Sequence, residues 1–153
     1  RISAEIETIK SQNRYPNLVV RIAVSMAIAG FCKIFNGDYV NMSVAFTSTF
    51  IGLYIFQLTH KEHFNLYFRI FIASFVASVL ASLGIVFKIG AHPETALATS
   101  ILFLVPGVAL INSFTDFLDS HIINGLVRFT TGLMTVLAIT LGLFIAMVLF
   151  QLH

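Results

Sequence analysis

Five apolar stretches, each close to the ~20 residues a helix needs to cross a bilayer, constrain this 153-residue chain more than any other feature. They occupy residues 17–35, 39–58, 66–87, 95–114 and 125–152, separated only by short polar connections. Backbone groups in hydrocarbon must be satisfied within the chain, and runs of this length do so as helices. The expected fold class is therefore all-α: a polytopic membrane protein with five transmembrane helices. Composition agrees. Only 10% of residues are charged, against about 25% in soluble domains, and the mean hydropathy is +0.92.

A net charge of +2, spread along the chain, argues against nucleic acid as a partner. The single cysteine, Cys32, rules out a disulfide framework or a cysteine-based metal site within the chain. Inside an apolar run it reads as an inert buried thiol. The chain begins with Arg1, with no signal peptide ahead of the first span, and is expected to be a fragment of a longer protein. Ile2, Ile6 and Ile9 recur at helical spacing among Glu5, Glu7 and Lys10. This predicts a short amphipathic helix within 1–16, stopped by Tyr15-Pro16. It lies either at the membrane surface or at the end of a preceding soluble domain, and residues 17–153 form the membrane domain.

Basic residues set the expected topology. With the N-terminus inside, Arg1, Lys10, Arg14, Arg21, Lys61, Arg69 and Arg128 fall at cytoplasmic ends, and only Lys33 and Lys88 fall opposite. That bias follows the positive-inside rule, and Tyr15, Tyr39 and Tyr67 at span boundaries fit interfacial anchors. Five spans put the C-terminus outside. A second five-helix unit would then cross the membrane inverted, the relation that underlies alternating access in many transporters.

The third span repeats small pairs, Ala73-Ser74, Ala77-Ser78 and Ala81-Ser82, every four residues. Such a face lets another helix approach closely; alternatively it lines an aqueous path. Gly132, Thr135, Gly142 and Ala146 make the fifth span similarly slim.

The fourth span carries the candidate site. Pro106-Gly107 interrupts it about 16 Å from Thr95 at ~1.5 Å per residue, close to the middle of a ~30 Å hydrocarbon core. Proline removes a backbone donor and clashes with the preceding turn. A break at that depth is either a tolerated kink or a binding site for a solute. A second half-helix starting at Pro106 would aim its free N–H groups and positive dipole end at a carboxylate. Asn112, Asp116 and Asp119 follow at i, i+4 and i+7 as one polar stripe. Arg128 is in reach of Asp116 or Asp119, or snorkels to the interface. Asp38, in the turn Asn36-Gly37-Asp38, is placed to cap the second span. His60 and His63 lack the partners and order of a metal motif and read as loop residues. Neither a nucleophile–base pair nor a phosphate loop or nucleotide motif is present, so an enzyme is not expected, nor is a metal or cofactor.

Leu104-Val105-Pro106-Gly107, then Ile111-Asn112, Asp116 and Gly125-Leu126-Val127-Arg128, resemble the signature of the threonine/serine exporter family. Phe35-Asn36-Gly37-Asp38 is similar to that family's Phe-Gly-Gly-Asp turn, with Asn36 for the first glycine. The resemblance covers essentially the whole chain. It implies an exporter of small polar amino acids such as threonine and serine, driven by the proton gradient, in the bacterial inner membrane. It also implies a second five-helix unit, in the same or a separate chain, and split members are associated with dicarboxylates. On this reading Pro106, Gly107 and Asn112 bind substrate, while Asp116, Asp119, Arg128 and Asp38 serve proton coupling or gating. The rival expectation is a membrane subunit that scaffolds a partner without transporting.

Overall fold

The structure, a computed structural model, describes residues 2–11 and 15–152, with side chains omitted at 9–11. Arg1 and Arg14, and the side chains of Ile9 and Lys10, lie outside the described residues. The described chain is helical throughout: α1 (Ile2–Ser11), α2 (Asn17–Ile34), α3 (Tyr39–Lys61), α4 (Leu66–Val86), α5 (Pro93–Ser100), α6 (Gly107–Leu118) and α7 (Ile122–Leu149), with a 3₁₀ turn at Leu102–Leu104. Four of these helices are long and apolar enough to cross a membrane. The fifth span is the pair formed by Pro93–Leu104 and Gly107–Leu118, bent by 58°. The expected stretches thus reappear with edges shifted by a few residues, except that the broken span and the last one start earlier than their apolar runs.

α1 presents Ile2 and Ile6 to solvent alongside Glu5 and Glu7. Pro16 then opens α2 by accepting from the N–H groups of Val19 and Val20. Short connections make α2–α3, α3–α4 and α6–α7 antiparallel neighbours, and α4 packs in turn on α7. Most large apolar side chains of α7, among them Leu137, Leu141, Phe144 and Val148, face outward. The interior holds small and hydroxyl-bearing residues instead, as expected where lipid-facing surface is as apolar as any core.

The α4–α7 seam uses the small-residue face read from the sequence. A β-carbon at Gly142 would fall 2.8 Å from the Phe71 carbonyl oxygen and 2.9 Å from the Phe75 nitrogen, so the two backbones touch there. Ser74 Oγ crosses the seam to donate to the Ile139 carbonyl at 2.8 Å. Ser78 and Ser82, one and two turns further along α4, are fully buried. Their hydroxyls have no hydrogen-bond partner among the described residues.

Candidate functional site

The interruption of the fifth span is built by local backbone chemistry and held by its neighbours. α5 ends at Ser100, and the last carbonyls of a helix lack partners. Here Leu97 O accepts from Ser100 Oγ at 2.8 Å. Ser100 O accepts from the buried Thr49 Oγ1 of α3 at 3.4 Å. Leu104 N–H turns back to Ile101 O, and Val105 N–H to Leu102 O. Pro106 follows at φ −81°, ψ 54°, and Gly107 N–H donates to Val105 O at 2.9 Å, a tight inverse γ-turn.

Two details correct the sequence reading. α6 starts at Gly107, so Pro106 stands just outside the helix rather than at its first position, because a ψ of 54° does not continue into helical geometry. The Gly107 amide is consumed by the γ-turn. Among the described residues this leaves Val108 and Ala109 as the first-turn amides without a backbone acceptor. The break itself is central. α5 and the 3₁₀ turn span about 18 Å and α6 another 18 Å, at ~1.5 and ~2.0 Å per residue.

α5 packs against α2, α3 and α4, and these surround it with buried polar groups. Ala45, Ser48, Thr49 and Gly52 of α3 share one buried face with Asn41. The space where Gly52 would carry a β-carbon is filled by the Phe103 ring, at 3.0 Å, and Ala77 Cβ, at 3.1 Å. Ile28 and Cys32 of α2, Ala45 and Ala96 form a small apolar cluster with Leu102 and Phe103 against it. The Cys32 thiol sits against the Thr99 hydroxyl. Ser25, on the same face of α2, is fully buried, and its hydroxyl has no hydrogen-bond partner among the described residues. Beside α5 an open groove of about 510 Å³ is lined by Phe35, Glu94, Thr95, Ala98, Thr99 and Leu102. The hydroxyl and amide lining is what sequence reasoning missed. Asn41, Ser48 and Thr49 sit among apolar residues whose individual spacing gives no hint of α5 as their neighbour.

At the end of the bundle where α4 finishes, Asp38 precedes α3 but its side chain makes no capping bond. It accepts instead from Ala91 N–H at 3.0 Å and so ties down the turn that leads into α5. The Asn41 amide is fully buried beside it, pressed against Gly90, and among the described residues neither its nitrogen nor its oxygen has a hydrogen-bond partner.

At the opposite end, Arg128 Nη1 of α7 donates to Asp116 Oδ2 of α6 at 2.7 Å. The arginine side chain is 52% exposed and the aspartate 18%, so this is a partly screened pair that joins the two helices. Asp119 caps the C-terminus of α6 and is exposed. Asn112 faces outward from α6 rather than into the buried polar cluster, because Ser113 and Phe117 occupy the side that meets Gly125 of α7. Thus Asp116 and Arg128 are brought together, Asn112 and Asp119 flank them on the open side of α6, and Asp38 lies at the other end of the bundle. Among the described residues no group of three or more His, Cys, Asp or Glu side chains is placed to hold a metal ion.

These elements define a multi-pass helical membrane protein with one discontinuous span lined by buried polar side chains. The family model described as "Putative threonine/serine exporter" (ThrE) matches residues 1–150, and the chain belongs to that family. It is also similar to the "Probable succinate transporter subunit YjjP" of Klebsiella aerogenes, with 33% identity over 147 residues covering 92% of this chain and 55% of that protein. The Escherichia coli K12 protein of the same name is 31% identical over 144 residues, with the same coverage of each chain. The chain thus spans about half the length of the curated relatives it matches. No solved structure matches it significantly.

Proposed function

We propose that this chain is one five-span half of a secondary exporter in a bacterial inner membrane. It carries a small, polar, carboxylate-bearing metabolite outward on the proton gradient, with its N-terminus in the cytoplasm and its C-terminus outside. The observation that carries the reading is the break at residues 101–106, central in the fifth apolar span, whose first half, α5, packs on α3 with its buried hydroxyls. Irregular backbone is tolerated at such depth where protein or a solute covers it. The substrate carboxylate meets the Val108 and Ala109 amides, whose dipole end favours an anion, and Pro106 and Gly107 hold that end open. Asn112 orients the rest of the solute from the open side of α6. Asp116, Asp119 and Arg128 form the cytoplasmic gate and proton relay, and Asp38 holds the outer turn.

The family description favours threonine and serine as cargo, and the names of the relatives favour a dicarboxylate such as succinate. A carboxylate is common to both. The word subunit in those names supports a second five-helix unit as partner. The role assigned is transport, not catalysis, and it calls on no cofactor.

The test is efflux from loaded proteoliposomes containing the full-length protein and its partner. Pro106→Ala and Asn112→Leu are expected to abolish efflux of succinate, threonine or serine while membrane insertion is retained. Unchanged efflux in both variants rejects the site. A second reading, a subunit that only scaffolds its partner, draws on the outward apolar residues Val108, Ile111 and Leu118 of α6. A stable complex without flux of any of these solutes would favour it.

A further inference from the structure

Arg69 stands in the first turns of α4, where the sequence suggests a cation marking a membrane boundary. The structure buries it instead: the residue is 9% exposed. Its Nη2 donates to the Phe56 carbonyl at 3.2 Å, and its guanidinium lies over the Phe56 ring at 4.4 Å. Its Nε is buried and has no hydrogen-bond partner among the described residues. Among the described residues the ion pairs are His92–Glu94 and Arg128–Asp116, and neither involves Arg69. A guanidinium has five N–H donors and no acceptor, and a buried, uncompensated charge is among the most costly groups a fold can hold. The contrast with Arg128, half exposed and paired with Asp116, is direct.

Its position gives the charge a use. Arg69, Ala73 and Ala77 follow one another at i, i+4 and i+8 on α4. The Ala73 carbonyl and Ala77 methyl flank Gly52, in the layer that receives the Phe103 ring from the break. Phe56 is one turn beyond Gly52 on α3, and it packs in the same apolar cluster as Ile101 and Leu104. The Arg69–Phe56 pair therefore lies about 6 Å below that layer, one helical turn, on the side where α4 begins. Past that 3₁₀ turn the chain bends by 58°, and α6 packs along α7.

We infer that Arg69 is a carboxylate receptor beneath the break, reached by the solute from the α4 N-terminal side. The planar fork of arginine matches a carboxylate through two parallel N–H···O bonds, and Nε–H is the donor left free for it. Phe56 holds the guanidinium flat by stacking and by its carbonyl. The inference rests on the export reading for the direction of flux, but binding is measurable without flux.

Two measurements test it, both on the full-length protein with its partner subunit. The first is phenylglyoxal labelling of Arg69, read by mass spectrometry with and without succinate or L-threonine. Protection by either solute supports the receptor and identifies the cargo class; protection by neither overturns it. The second is counterflow in proteoliposomes. Arg69→Gln is expected to raise the KM about tenfold to a hundredfold, the range for losing a charge-assisted hydrogen bond, with a smaller change in kcat. Arg69→Lys keeps the charge without the fork and should fall between. Wild-type flux with an unchanged KM in Arg69→Gln overturns the receptor and leaves export standing. Protection without wild-type flux supports the receptor and removes export.

Discussion

Gly142→Ala is the substitution whose cost the structure sets most directly. The added methyl would lie 2.8 Å from Phe71 O and 2.9 Å from Phe75 N, several tenths of an ångström inside ordinary contact. Both atoms belong to the α4 backbone and cannot swing aside, so α4 and α7 must separate. Overpacking of this kind costs about 1–3 kcal/mol. The separation also stretches the Ser74 Oγ to Ile139 O bond, worth about 0.5–1.5 kcal/mol. Alanine's helix preference over glycine returns roughly 0.5–1 kcal/mol. The net expectation is a loss of about 0.5–4 kcal/mol. Gly30→Ala is the matched control, since nothing lies within 4 Å of its added β-carbon; it keeps the helical gain and should be neutral or stabilising. The assay is unfolding of the detergent-solubilised protein in rising SDS mole fraction, followed by circular dichroism. Opposite shifts in the two midpoints are expected. Equal midpoints, or a more stable Gly142→Ala protein, would refute the claim that α4 and α7 meet through their backbones.

Two further expectations concern the ends of the bundle. Asp38→Ala removes the acceptor for Ala91 N–H; amide exchange at residues 88–92 should accelerate by about tenfold, matching one lost hydrogen bond, and unchanged protection there would show that the tie is idle. Asp116→Arg or Arg128→Asp alone should lower efflux by disrupting the 2.7 Å pair, whereas the double exchange should recover most of it. Failure of the double exchange while both singles are impaired would mean that the two residues act separately rather than as a pair.

The span pattern was readable from the chain because run length, proline and the short polar connections act locally. Residues 17–35 and 66–87 became α2 and α4 with almost the same limits, and Pro106 interrupts the span that contains it. The small faces around Ser74 and Gly142 also found each other, since close backbone approach leaves few alternatives to small residues. Side-chain surroundings were another matter. Asp38 reads as a cap but reaches across to Ala91, the stripe that holds Asn112 gives no direction and the residue faces out, and Arg69 reads as an interfacial cation but is buried on Phe56. Each of these depends on which neighbouring helix covers a given face. That is decided by contacts between residues far apart in the chain, such as Thr49 with Ser100 and Gly52 with Phe103. Hydrophobic run length determines that a segment crosses the membrane, whereas only packing among the segments determines where a polar group ends up, because its surroundings belong to other helices.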